Sequence, residues 1–141
     1  MIDLKTRATR ILPGSESILR AVWSPDPRFA AATNVAGSQI LLFDFRTQQW
    51  SKLASGVGLG IPFWSRDGKF LYYQDVFGSP DQPSYRVHLG SRKIERVMGL
   101  KEIPQSNVIR YGLVGLGPGD SPVAGLMRTN SDIYSLELEL P

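Results

Sequence analysis

The chain has 141 residues, 42% of them hydrophobic and 21% charged, which suits one globular domain and excludes a disordered polymer. Its 16 basic and 13 acidic residues leave a net charge of +3, too small a surplus to imply nucleic acid. No cysteine is present, so disulfides, thiolate catalysis and cysteine-ligated metals are excluded, while 14 glycines and 10 prolines point to many turns between short strands.

In chain order, Ile2-Asp3-Leu4-Lys5-Thr6-Arg7 reads as a strand running into a turn. The chain is therefore expected to start inside a repeating unit, as a fragment or as an open reading frame cut short at its N-terminus. Residues 1–30 hold Lys5, Arg7, Arg10, Glu16, Arg20, Asp26 and Arg28 and no apolar run of the signal-peptide kind. Strand-sized pieces follow at 19–23, 29–33, 39–45 and 50–53, and again at 61–64, 69–74, 84–89 and 93–97. Turn formers separate them, among them Ala36-Gly37-Ser38, Gly78-Ser79-Pro80-Asp81 and Gly90-Ser91. The best helical candidate, 92–100, contains Gly99 and β-branched residues, so no helix is expected. Residues 111–127 carry one charge, Asp120, but also Pro118 and Pro122, and fall short of the roughly 20 residues of a membrane helix.

Two landmarks recur. The first joins an aromatic to a turn, in Val22-Trp23-Ser24-Pro25-Asp26-Pro27-Arg28-Phe29 and in Phe63-Trp64-Ser65-Arg66-Asp67-Gly68-Lys69-Phe70, with the tryptophans 41 residues apart. A weaker copy, Gly115 to Pro122, puts Leu116 at the tryptophan position. The second landmark is an alternating strand ending in a polar turn, and it places Leu4, Phe45, Leu89 and Leu138 in register at spacings of 41, 44 and 49. Short strands repeating every forty-odd residues are the mark of propeller blades. The expected fold is all-β: a partial β-propeller of about three four-stranded antiparallel blades, the C-terminal part of a six- to eight-bladed ring. Residues 1–14 end a preceding blade, 15–56 and 57–99 form two blades, and 100–141 form a blade lacking its outer strand.

The motif residues Trp23, Ser24, Asp26, Trp64, Ser65, Asp67 and Gly68 read as a structural device. Trp64 offers a flat surface to a neighbouring sheet, and Asp67-Gly68 suits a tight hairpin because Gly accepts positive φ. Pro27 stands where Gly68 does and cannot take positive φ, so the first copy needs another turn, expected as type I with Pro25 in its second position.

These Trp-Ser-x-Asp cores, with the Phe43-Asp44-Phe45-Arg46-Thr47 and Tyr85-Arg86-Val87-His88-Leu89 strands, resemble the TolB-like family of bacterial β-propeller repeats, relatives of WD repeats. The likeness spans nearly the whole chain, which looks especially like the C-terminal blades of bacterial proteins that join such a propeller to a winged-helix DNA-binding or protein-kinase domain. It implies a non-catalytic binding or sensing module within a larger bacterial protein. Its partners would be the missing blades of the same propeller or another protein, with no direct nucleic-acid binding. It implies a periplasmic location, with the cytoplasm as the alternative. Other readings of the parent protein are a propeller-gated hydrolase and a regulator or kinase whose sensor half this is.

No catalytic, cofactor-binding or metal-binding residue is expected. His88 is the only histidine and alternates with Tyr85, Val87 and Leu89, as a surface histidine does. Gly119-Asp120-Ser121-Pro122-Val123 lacks the second glycine of a nucleophile elbow. The glycine-rich 56–60 and 115–119 precede no helix and carry no Lys-Ser/Thr pair, so they read as loops between blades. Asp26, Asp67 and Asp120 recur one per turn, which suits turn capping better than calcium, a cation that needs six to eight oxygens. Arg86, Arg92, Lys93, Arg96 and Lys101, interrupted by Glu95, read as a solvated strand edge.

Overall fold

The computed structural model describes residues 2, 5–104 and 107–129, and these are almost all strand and turn. The strand expected around Leu138, and part of the one at Leu4, lie outside the described residues. Among the described residues, ten strands form three antiparallel sheets. β1 (Ile18–Trp23), β2 (Phe29–Asn34), β3 (Gln39–Asp44) and β4 (Gln49–Ser55) make a four-stranded sheet in chain order. β5 (Phe63–Trp64), β6 (Phe70–Gln74), β7 (Ser84–His88) and β8 (Ile94–Met98) make a second. β9 (Val108–Leu116) and β10 (Pro122–Arg128) form a two-stranded third. The stretch that came nearest to a helical pattern, 92–100, holds strand β8 and runs into one 3₁₀ turn, Leu100–Glu102.

The core lies between the first two sheets, where period-2 alternation turns one face of each toward the other. Ala31, Ile40, Leu42, Leu53 and Ala54 of the first sheet meet Leu71, Tyr73 and Val87 of the second, with Leu59 from the connecting loop. Small residues on β2, Ala30 to Ala32, allow close approach, and all three are buried. The second sheet is covered on both faces. Tyr72, Gln74 and Ser84 are buried as well, and Gln74 Nε2 donates to the Tyr111 carbonyl at 3.1 Å while its Oε1 accepts from Leu113 N at 3.0 Å.

The repeat is visible in the backbone. Ser24 N donates to Phe29 O at 3.1 Å, and Ser65 N donates to Phe70 O at 2.9 Å. Gln48, in the β3–β4 hairpin, and Arg92, in the β7–β8 hairpin, both sit at φ 58°. Arg7 has φ 57°, and Ile2 bridges Thr9, which repeat the Gln48 φ and the Phe43–Trp50 pair 41 residues earlier in the chain.

One turn corrects the sequence expectation. The hydrogen-bonded turn of the first motif runs from Asp26 to Phe29, with Phe29 N donating to Asp26 O at 3.2 Å, so Pro27 and not Pro25 takes the second position. The reason is chemical: a turn from Ser24 would need an N–H at its fourth residue, and that residue is Pro27. In the second motif Gly68 N does donate to Ser65 O at 3.0 Å, with Gly68 at φ 70°.

Candidate interaction face

The motif turns lie side by side where the inner strands end. Trp23, Trp64 and Leu116 are the last residues of β1, β5 and β9, the first strands of their sheets. Trp64 is half-buried against the core and donates its indole N–H to Val22 O of the first sheet at 3.2 Å. Trp23 remains 57% exposed and stacks on Phe45, ring centroids 4.9 Å apart and planes 10° from parallel.

Each acidic turn residue has a defined task. Asp26 Oδ1 accepts from Arg28 N at 2.9 Å, and Ser24 Oγ accepts from Asp26 N at 3.1 Å. Asp67 Oδ1 accepts from Lys69 N at 3.0 Å and from the Ser65 hydroxyl at 2.8 Å, and these bonds, with the Lys69 charge, hold its carboxyl below the usual carboxylate range. Asp120 reaches across instead, accepting from Arg66 N of the neighbouring sheet at 2.8 Å. The corresponding position in the first motif is Pro25, which has no N–H to give. Among the described residues no three acidic or histidine side chains converge as a metal site would require.

Two grooves open between neighbouring sheets near these turns. One, of about 460 Å³, is lined by Trp64, Arg66, Leu116, Pro118 and Asp120. The other, of about 380 Å³, has Phe29, Leu42 and Leu89 as its apolar floor, with Trp50 and Arg92 at its sides. At its rim Arg28 binds Asp44 through Nε at 3.2 Å and Nη2 at 2.7 Å. The Arg28 hydrogen bond, helped by the Arg46 amide, holds the Asp44 carboxyl down at about 2.

The groups weighed for chemistry are occupied in holding turns. His88 Nδ1 accepts from Ser91 N at 3.0 Å, and its ring meets Phe70 edge-on at 4.9 Å. The Ser121 hydroxyl donates to Pro118 O at 2.9 Å. The 56–60 loop connects the sheets: Leu59 N donates to Gly37 O at 2.7 Å, and Asp75 Oδ1 accepts from Val57 N at 3.0 Å. The basic cluster is largely neutralised. Arg86 and Lys93 pair with Glu95, and Arg96 pairs with Asp81 at 2.5 Å and with Glu102 at 2.6 Å. Those partners push the Arg96 pKa up, Glu102 more than Asp81.

Sequence reading missed Gln74 and Tyr111. Tyr111 is 1% exposed, shares a hydrogen bond with Ser84 Oγ at 2.9 Å and donates to Met98 O at 3.2 Å, and burial raises its pKa. No local pattern marks either residue, because their partners lie tens of residues away in sequence.

The stacking of antiparallel sheets through matched inner-strand ends has a counterpart among solved structures. TolB from Acinetobacter baumannii superposes with a TM-score of 0.54 over 79% of this chain, at 22% identity. The fold is that of a partial, TolB-like β-propeller. The match spans 31% of the TolB chain, so this chain corresponds to under a third of that protein's length. No family model matches the sequence, and no curated protein matches it. The likeness to TolB therefore rests on fold, and the motif turns that carry the resemblance in sequence lie at the ends of the inner strands.

Proposed function

We propose that the chain is a non-catalytic binding module, a run of blades from a larger TolB-like propeller, that contacts protein partners through its turn face. On this reading 15–56 and 57–99 are blades, while 1–14 and 100–141 belong to the flanking ones. Trp23, Ser24, Asp26, Trp64, Ser65, Asp67 and Gly68 are then the structural motif that spaces them. The observation that carries the proposal is the employment of the motif turns: Ser24, Asp26, Ser65, Asp67 and Asp120 all satisfy backbone or turn groups, leaving grooves beside a rigid rim. A propeller presents such rims and grooves as recognition surfaces, and specificity resides in the loops. The family likeness also supports a periplasmic location, which fractionation of the native cells tests.

The interaction reading is tested by site-specific photo-crosslinking in the native cell. A photoreactive residue at Arg66, beside the larger groove, should yield discrete adducts, whereas one at Lys52 on the outer strand β4 should not. Equal labelling from both positions would contradict a turn-face interface.

A further inference from the structure

The β7–β8 hairpin puts, at a strained backbone position, a side chain that its own turn does not use. Arg92 holds φ 58°, in the left-handed region that favours glycine. Its counterpart in the first sheet, Gln48, holds the same φ and donates its side-chain amide to Phe45 O at 2.7 Å, closing its own hairpin. Arg92 closes nothing. Its guanidinium reaches from the second sheet to the first, where it meets Ser51 Oγ at a long 3.5 Å. Among the described residues no carboxylate lies within ion-pair distance of it, whereas Arg28, Arg86 and Arg96 each have one.

The space that Arg92 crosses is the groove of about 380 Å³ between the first two sheets. Ligand pockets span roughly 300–1,000 Å³, so this one suits a side chain or two and no bulky cofactor. It draws on β2, β3, β4 and the β7–β8 turn, and so lies outward of the inner-strand ends. Phe29, Leu42 and Leu89 make its floor, and the Arg28 guanidinium, held by Asp44, lies over the Phe29 ring at 4.7 Å. That wall is fixed, and its two charges cancel. Arg92 is left as the uncompensated charge beside an apolar floor, with the Thr47 and Ser51 hydroxyls near enough to serve a peptide backbone. Both walls belong to adjoining sheets that share one core, so no further blade enters between them, whatever the full ring holds.

We infer, resting on the turn-face reading above, that this groove binds a partner protein through a short segment in which an aspartate or glutamate stands beside a leucine or phenylalanine. The apolar side chain covers Leu42 and Leu89, and the carboxylate takes the Arg92 fork in two parallel hydrogen bonds. Water displaced from the floor leaves that ion pair in a lower dielectric, which strengthens it. Charge selects a carboxylate segment over a nucleic acid, because a phosphate backbone engages several cations and would meet Asp44 at the rim.

Short random peptides displayed on phage and selected against the full chain provide the probe. Enriched peptides should carry Asp or Glu next to Leu or Phe. As free labelled peptides, read by fluorescence anisotropy, they should bind Arg92→Gly about tenfold more weakly or worse. That variant relieves the backbone and should melt no lower than the wild type, so its loss of binding is not a loss of fold. Ser51→Glu sets a carboxylate against Arg92 within the chain and should weaken the same peptides as much. Enriched peptides without a carboxylate, or binding unchanged in either variant, would overturn the inference. A single-stranded DNA oligomer that binds more tightly than the peptides and is lost on Arg92→Gly would overturn it too. Peptides lost on Arg66→Ala and kept on Arg92→Gly would overturn it while leaving the turn-face reading standing at the other groove. No enrichment, or enrichment insensitive to all three substitutions, would overturn both.

Discussion

The indole N–H of Trp64 and the carbonyl of Val22 meet at 3.2 Å across the boundary between two sheets, 42 residues apart in sequence. This bond fixes how far the second sheet slides along the first. Trp64→Phe keeps the ring and loses the donor, and should cost about 1 kcal/mol in urea unfolding. Trp64→Ala also empties the packing beside Val22 and should cost about 3 kcal/mol or more. Trp23→Phe, which loses no bond to a neighbouring sheet among the described residues and keeps a ring against Phe45, should be nearly neutral.

Gln74 joins the second sheet to the third through both ends of one amide, at 3% exposure. Gln74→Leu fills the same space but strands the Tyr111 carbonyl and the Leu113 N–H, each an orphan costing about 1–3 kcal/mol. Hydrogen exchange should quicken across β9 and β10 while β2 and β3 keep their protection. Uniform loss of protection in all three sheets would argue against a local joint.

The turns make a pair of predictions of opposite sign. Gly68 sits at φ 70°, and a Cβ there would lie 3.3 Å from Ser24 Oγ, so Gly68→Ala should destabilise by about 1–2 kcal/mol. Arg92 holds φ 58° with a side chain that makes only a long 3.5 Å contact to Ser51, so Arg92→Gly should stabilise by about 0.5–1 kcal/mol. Thermal melts of the two variants decide both.

The sequence showed the strands well and their cross-links poorly. The tryptophan spacing and the alternation of β7 located eight strands to within two residues, because period and turn chemistry are local properties. Pro27 misled the turn assignment because the hydrogen bond it forbids belongs to a residue three positions upstream. The basic run around Arg96 looked like free charge, since its partners Asp81 and Glu102 flank it at 15 and 6 residues and Asp81 lies in another loop. The Gln74–Tyr111 joint and the Arg66–Asp120 bond depend on which loops the sheets bring together, and no single-sequence pattern encodes that.

Stability should fall on both sides of neutrality. Asp44 is held at about 2, below its ordinary value of 3.8, so its contribution is complete above that value and is lost as pH falls through it toward 2. Asp81 and Glu102, lowered first by Arg96, act in the same direction. Burial raises Tyr73 to about 12, with Tyr85 and Asp75 adding to it, so stability is full below its ordinary value of 10.0 and declines as pH rises from there toward 12. Urea midpoints between pH 2 and 6 should slope upward with pH in the wild type and less steeply in Asp44→Asn. An unchanged slope in that variant would remove the Arg28–Asp44 pair from the account.

The account turns on sheets stacked through inner-strand tryptophans, and hydrogen exchange at the Trp64 indole N–H, followed by NMR in nitrogen-15-labelled protein, tests that stacking most directly. The bond to Val22 and the burial around it predict exchange slowed by at least a hundredfold relative to free indole, lost only when the first two sheets separate. A Trp64 indole that exchanges as fast as the free compound in the folded chain would mean the two sheets do not stack as blades.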